Sequence, residues 1–309
     1  MSEGKMKLSI CIPTYNRAEL LLENLSVIVS QLDVSLRSDV EIVLTDNASN
    51  DRTVEMIRTF IAAHPNHMVR LFLNDKNLGL DRNVARVIAE AEGEFCWLLG
   101  DDDFPTPGAI PFLMNRLRAA PDCSYFLLNY SRYDKILDKT TSQSMAALDH
   151  DLLFANADQF FFTPLPRGSY FRLLGANMLT MSANVFRKSL WQNAIETLKP
   201  SFDTNMTHIY VISTFIRDLK EINFIALPMF RYLCNNFRDW GNDIWKDYRT
   251  IYYQHLRRQG YSEILLRAAE SSQLTYVPFF ELVKLIGRKN FLKRPLNTLV
   301  QIYAEYRVR

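Results

Sequence analysis

Three adjacent carboxylates, Asp101-Asp102-Asp103, follow Gly100 and the apolar run Phe95-Cys96-Trp97-Leu98-Leu99. Neighbouring carboxylates repel one another unless a cation or a positive side chain offsets them. An all-oxygen set suits a hard divalent ion such as Mg2+ or Mn2+. The competing reading is a solvated acidic turn that favours the dipole of a helix starting after Pro107. The apolar run directly before the triplet argues for the site, because it puts the carboxylates at the end of a buried strand. Three further polar stretches also follow apolar runs. They are Pro13-Thr14-Tyr15-Asn16-Arg17, the segment Asp46-Asn47-Ala48-Ser49-Asn50-Asp51, and the segment from Asn74 to Asn83, which holds Asn77, Asp81 and Arg82. Asp46 can accept a hydrogen bond from a nucleobase N–H or a sugar hydroxyl, or can close an Asx turn. Arg17 and Arg82 carry planar forks that match phosphate oxygens, or else make surface ion pairs of little energetic weight.

The elements that would hold these residues alternate in period. Leu8 to Ile12, Val40 to Thr45, Val69 to Leu73, Phe95 to Leu99 and Tyr125 to Asn129 read as strands. Amphipathic segments lie between them: Ala18 to Gln31, a helix opened by Asn50 and Asp51, Arg82 to Ala91, and Pro107 to Ala119. That alternation predicts βαβ units and an α/β fold with a mainly parallel sheet flanked by helices. In such a sheet ligands bind outside the carboxyl ends of the strands, which is where all four polar stretches fall. Residues 131 to 151 are polar and irregular and read as a loop or hinge. Asn177 to Ala183 looks strand-like, and Met206 to Leu219 helical. The division expected is a nucleotide-binding half over 1–130, a second half of the same domain over 131–240, and a helical basic extension over 241–309.

Several classes drop out. With 36 Lys and Arg against 34 Asp and Glu, the chain lacks the broad positive field of a nucleic-acid binder, so no nucleic-acid partner is expected. Hydrophobic residues make up 48% and charged residues 23%, the profile of a packed globular protein. There is no GxGxxG after the first strand and no GxxxxGK[ST], which disfavours a dinucleotide site or a P-loop. Neither HExxH nor GxSxG occurs. Cys11, Cys96, Cys123 and Cys234 are widely spaced and read as buried thiols. No apolar stretch of signal-peptide or membrane-spanning length is visible, which leads to the expectation of a cytoplasmic protein.

The order Ile10-Cys11-Ile12-Pro13-Thr14-Tyr15-Asn16-Arg17, Thr45-Asp46-Asn47-Ala48-Ser49-Asn50-Asp51, Asn77-Leu78-Gly79, Ala91-Glu92-Gly93-Glu94 and Gly100-Asp101-Asp102-Asp103 resembles family 2 glycosyltransferases. Within that family it is most similar to bacterial O-antigen and capsule transferases of the abequosyltransferase type. The resemblance implies a GT-A (nucleotide-diphospho-sugar transferase) fold and a metal-dependent, inverting transfer of a sugar from a nucleotide-diphosphate donor to an acceptor hydroxyl. It implies that Pro13, Thr14, Tyr15, Asn16 and Arg17 line the nucleotide, with Asn47 and Asn77 beside it. Asp46 then faces the base, and Asp81, Arg82 and Asn83 lie by the ribose or sugar. Asp101 to Asp103 match the DxD motif, with Asp101 and Asp103 as ligands of Mn2+ or Mg2+ and with Asp101 and Asp102 near the donor.

The resemblance fades after residue 130, and the Glu-Asp pair that many members carry as the base is missing between 150 and 240. Asp203 is the first choice for that base and His208 the second. An N-cap and ordinary packing are the respective alternatives. A lipid-linked glycan acceptor would suit the C-terminal segment 281–309, which holds seven Lys and Arg against two Glu. That segment suggests peripheral contact with anionic lipid on the inner face of the cytoplasmic membrane. A non-catalytic nucleotide-sugar-binding or scaffold protein of the same fold is the second functional reading.

Overall fold

The structure, a computed structural model, describes residues 7–134, 139–142, 144–169, 173–198, 204–234, 252–263 and 265–266. Strand β1 (Leu8–Thr14) leads into helix α1 (Ala18–Val29), β2 (Val40–Asp46) into α2 (Thr53–Ala63), and β3 (Met68–Leu73) into α3 (Leu80–Glu90). Then come β4 (Phe95–Leu98), the two-residue β5 (Phe104–Pro105), α4 (Ala109–Ala119), β6 (Tyr125–Asp134), β7 (Lys139–Ser142), β8 (Leu152–Phe154) and α5 (Ala157–Phe162). Two 3-10 turns, Leu174–Leu179 and Met181–Ala183, precede β9 (Asn184–Arg187), α6 (Lys188–Leu198), α7 (Thr207–Ile216) and β10 (Ile222–Cys234).

The ten strands form one sheet in the order β3-β2-β1-β4-β9-β6-β10-β5, with β7 beside β6 and β8 beside β10. The block β3-β2-β1-β4 is parallel, β9 runs antiparallel between β4 and β6, and β10 lies parallel to β6. Every residue of β1, β2 and β4 is buried, as strands covered by helices on both faces must be. Helix α1 turns Leu21, Leu25 and Ile28 inward and α3 turns Val84, Val87 and Ile88 inward, the stripe that a 3.6-residue period produces. From β1 the chain steps out to β2 and β3, then returns to lay β4 on the other side of β1. A crevice opens above that reversal, between the carboxyl ends of β1 and β4.

Two expectations for the second half are corrected. Asn177 to Ala183 is not a strand. The side-chain amide of Asn184 donates to the carbonyls of Met178, Thr180 and Met181 at 3.1, 2.9 and 3.1 Å, and gathers them into turns. Residues 131 to 151 are not one loop either, because β6 runs on to Asp134 beside β10 and β7 folds back against it. The part nearest the sheet is held by Asn129, whose amide donates to Ser144 Oγ, Ala146 O and Ala226 O at 2.7, 2.9 and 2.8 Å.

Cys11, Cys96 and Cys123 are buried free thiols. Among the described residues, no helix is long and apolar enough to cross a membrane. The segment 281–309 lies outside the described residues.

Candidate active site

Strand β1 ends in Thr14, whose Oγ1 donates to Asp101 Oδ2 at 2.7 Å. The next turn is left-handed at Asn16, with φ 52°, a conformation Asn tolerates better than most residues. Asn16 joins the first loop to the second: its backbone N–H donates to Ser49 Oγ at 2.8 Å, and its Oδ1 accepts from Asn50 N at 2.9 Å. Arg17 donates its backbone N–H to Thr53 Oγ1 at 3.1 Å and points a guanidinium nitrogen at Asp102 Oδ2, 3.7 Å away. Arg17 thus offsets one member of the carboxylate run.

The second loop leaves β2 at Asp46, where Oδ2 accepts from Ser49 N, three residues on, at 2.9 Å and closes a turn. Ala48 inside that turn has φ 60°, a strained value for a residue with a Cβ. The other oxygen, Asp46 Oδ1, is buried without a hydrogen-bond partner. Asn47 uses its whole amide on the third loop. It donates to Asn77 Oδ1 at 2.9 Å and Gly79 O at 3.3 Å, and accepts from Asn74 Nδ2 at 2.9 Å and Leu78 N at 2.8 Å. Asn83 closes the network, donating to Thr45 O at 3.1 Å and Thr14 O at 3.4 Å and accepting from Asn74 at 2.9 Å. Three buried asparagines therefore fix the loops after β1, β2 and β3 relative to one another.

The fourth loop carries the carboxylates. Asn24 on α1 donates to Gly100 O at 3.0 Å, and Gly100 N donates to Ser182 Oγ at 2.8 Å. The Ser182 hydroxyl donates in turn to Asp103 Oδ2. Asp103 is buried and its Oδ1 has no partner. Burial first, and then repulsion from Asp102, push its pKa well above the usual carboxylate range, while the hydrogen bond from Ser182 pulls it down. Asp103 is thus buried and outside the cleft lining, with one carboxylate oxygen left over.

Above these loops lies a cleft of about 420 Å³. It is lined by Pro13, Thr14, Tyr15 and Arg17 from the first loop, Asn47 from the second, Asn77, Gly79, Leu80 and Asn83 from the third, and Gly100, Asp101 and Asp102 from the fourth, together with Met181, Tyr232 and Leu233. Four strand ends therefore deliver side chains to one cavity.

Other expected site residues lie elsewhere. Asp81 does not line the cleft, because its carboxylate accepts from the chain at 204–207. Arg82 is exposed on the first turn of α3, with a guanidinium nitrogen 3.5 Å from Leu78 O. His208 is buried with Nε2 3.3 Å from Leu179 O, and burial lowers its pKa to about 4. It is a packed, neutral imidazole outside the lining of the cleft. Asp203 falls outside the described residues.

Among the described residues, no group of three His, Cys, Asp or Glu side chains is arranged to hold a metal. The oxygen-only donors fit a hard divalent ion bound through one or two carboxylates and completed by phosphate oxygens of a ligand. The unpartnered Asp103 Oδ1 is one such donor.

The sequence reading missed Asn24, Ser182, Met181, Tyr232 and Leu233. Asn24 left a signal, a polar residue on the Leu21-Leu25-Ile28 face of α1. The others left none, because β10 and the 3-10 turns reach the cleft only through tertiary pairing. The Ala91-Glu92-Gly93-Glu94 stretch, in contrast, lies at the amino ends of the strands, far from the cleft in the sheet's plan. There Glu41 is fully buried and accepts from Ser9 Oγ at 2.5 Å and Arg70 Nη1 at 3.0 Å. A Cβ on Gly93 would sit 2.5 Å from Ser9 Oγ and 2.6 Å from Ser9 N.

Residues 9–190 match the family described as Glycosyl transferase family 2. The abequosyltransferase RfbV of Salmonella typhimurium is 29% identical over 228 residues, 72% of this chain and 66% of its own. The GalNAc(5)-diNAcBac-PP-undecaprenol beta-1,3-glucosyltransferase of Campylobacter jejuni is 32% identical over 111 residues, 36% of this chain and 34% of its own. This chain thus spans just under two thirds of the first relative and about a third of the second. The crystal structure of S. aureus TarS 1-349 in complex with UDP-GlcNAc superposes with a TM-score of 0.61 at 14% identity, covering 97% of this chain and 79% of that one. That likeness shows the GT-A fold. With the family matched across more than half its length, the chain belongs to glycosyl transferase family 2.

Proposed function

We propose that this protein transfers a glycosyl group from a nucleoside-diphosphate sugar to a hydroxyl of a growing cell-surface glycan. The observation that carries the reading is the cleft at the strand-order reversal, lined by Asp101 and Asp102 and by Thr14, Tyr15 and Arg17. The TarS structure with UDP-GlcNAc and the relatives named for sugar transfer support the same reaction class. The glucosyltransferase relative, named for a PP-undecaprenol substrate, supports a lipid-linked acceptor.

In this reading Pro13, Thr14, Tyr15 and Arg17 flank the nucleotide, and the unpartnered Asp46 Oδ1 accepts from its base. Asp101 and Asp103 would hold Mn2+ or Mg2+, which when bound supplies positive charge to the leaving diphosphate. The acceptor oxygen forms a bond to the anomeric carbon as the carbon–oxygen bond to the diphosphate breaks. The electron pair leaves with the nucleoside diphosphate, and the hydroxyl proton passes to a base. A single displacement of this kind inverts the anomeric carbon. Asp203 is the candidate base, since a neutral imidazole with a pKa of about 4 makes His208 a poor proton acceptor. Contact between the basic segment 281–309 and anionic lipid belongs to the same reading and is supported by its charge.

Release of nucleoside diphosphate from a panel of UDP-, GDP-, CDP- and dTDP-sugars, with water or an added glycan hydroxyl as acceptor and with and without Mn2+, tests the reading. Release from one donor, lost in Asp101→Ala and Asp203→Asn but kept in His208→Gln, is expected. Donor binding with no release under any condition favours a binding or scaffold protein instead.

A further inference from the structure

Asp81 is 2% exposed on the first turn of α3, directly after Leu80, which lines the cleft. An unpaired buried carboxylate is costly, and this one is fully engaged. Its Oδ2 accepts from Thr204 N at 2.9 Å, Thr204 Oγ1 at 3.1 Å and Asn205 N at 2.8 Å. Its Oδ1 accepts from Thr207 N at 3.0 Å, where α7 begins. Three of the four donors are backbone N–H groups, and one of them, Thr207 N, is the first of α7, where a negative charge also interacts favourably with the helix dipole. Asn205 is left-handed, with φ 56°, a conformation that Asn tolerates better than most residues.

The start of α7 is tied down on a second side. His208 Nε2 lies 3.3 Å from Leu179 O, and Leu179 is two residues before Met181, which also lines the cleft. The 204–207 turn and the start of α7 are therefore tied to α3 next to Leu80 and to the 3-10 turn that precedes Met181. Sequence separation makes the link specific, since Asp81 and Thr204 are 123 residues apart.

We infer that Asp81 is a positioning residue. It does not touch the donor; its carboxylate sets the 204–207 turn, and through it the acceptor side of the cleft, in register with the donor loop at Gly79 and Leu80. This rests on the transferase reading above. The residue before Thr204 is Asp203, so the clamp acts one peptide bond away from the candidate base.

The test is hydrolysis of the preferred nucleotide sugar by the full-length chain, with water as acceptor, in wild type, Asp81→Asn and Thr204→Val, alongside nucleotide binding and amide exchange at 204–207. Asp81→Asn is expected to lower kcat at least roughly tenfold, with the donor KM within about twofold of wild type and faster exchange at 204–207. Thr204→Val, which removes only the hydroxyl donor, should show a smaller fall in the same parameter. A rise in donor KM of roughly tenfold or more would overturn the inference, because Asp81 would then contact the donor. Unchanged kcat and KM with only a lowered melting midpoint would also overturn it, leaving Asp81 a structural cap. Failure of the transferase reading itself is recognisable separately, because wild type would then bind and hydrolyse no nucleotide sugar.

Discussion

Thr14 Oγ1 donates a 2.7 Å hydrogen bond to Asp101 Oδ2, and so joins the carboxyl ends of β1 and β4 at the reversal of strand order. Thr14 is buried, and Asp101 lines the cleft. The bond therefore holds one oxygen of a carboxylate that lines the cleft.

Thr14→Val keeps the shape of the side chain and removes this bond. A hydrogen bond to a charged group contributes about 1.5–3 kcal/mol, so nucleotide affinity should weaken by roughly ten- to a hundredfold if the whole effect falls on the site. Titration calorimetry with the preferred nucleoside diphosphate measures it, and unchanged affinity would show that Asp101 needs no such orientation.

Ser182 holds Gly100 N and Asp103 Oδ2 at once. Ser182→Ala leaves both buried groups without that partner, at about 1–3 kcal/mol for each. The urea midpoint should fall accordingly. A loss below about 0.5 kcal/mol would mean that the fourth loop is held by other contacts.

Asp103 has a folded pKa raised well above 3.8, chiefly by burial and next by Asp102. Between those two pKa values the folded state binds more protons than the unfolded state, so stability falls as pH rises through that window. Asp103→Asn removes this proton uptake. In the absence of metal and nucleotide, the variant should gain stability over wild type as pH rises above about 4. A difference that does not change with pH contradicts the burial argument.

His208 behaves in the opposite way. Its pKa falls from 6.5 to about 4 on folding, so the unfolded state binds more protons between those values, and stability is lost as pH falls through them. The full effect is roughly 3 kcal/mol at one pKa unit per 1.36 kcal/mol. His208→Gln should flatten the fall in stability between pH 7 and 4, read by denaturant midpoints at each pH.

Gly93→Ala would place a Cβ 2.5 Å from Ser9 Oγ and 2.6 Å from Ser9 N. Backbone cannot yield as a side-chain end can, so the cost should reach at least about 2 kcal/mol, seen as a lower melting midpoint far from the cleft.

The parallel half of the fold was legible because its period alternates cleanly. Residues such as Leu21, Leu25 and Ile28 mark the helix face, and the unbroken apolar runs of β1 and β4 mark buried strands. Ligand loops follow from strand direction, so Thr14, Arg17, Asp101 and Asp102 could be placed in one site before their distances were known. Asp81 and Asp103 show where that reasoning stops. Both lie in the expected loops, yet each faces an element distant in sequence, the 204–207 turn and Ser182, and no local pattern records that pairing. The stretch 177–183 failed for a similar reason, since one side chain, Asn184, bends it into turns.

The most direct measurement is the melting midpoint of wild type and Asp101→Ala with UDP, GDP, CDP and dTDP, each with Mn2+, Mg2+ or neither. A ligand that binds only the folded state raises the midpoint, by roughly 2.7 kcal/mol of added stability at about 100 times Kd. A metal-dependent rise with one nucleotide in wild type, lost in Asp101→Ala, is the predicted result. No rise with any nucleotide at millimolar concentration, or an equal rise in Asp101→Ala, would contradict a nucleotide-sugar site between the ends of β1 and β4.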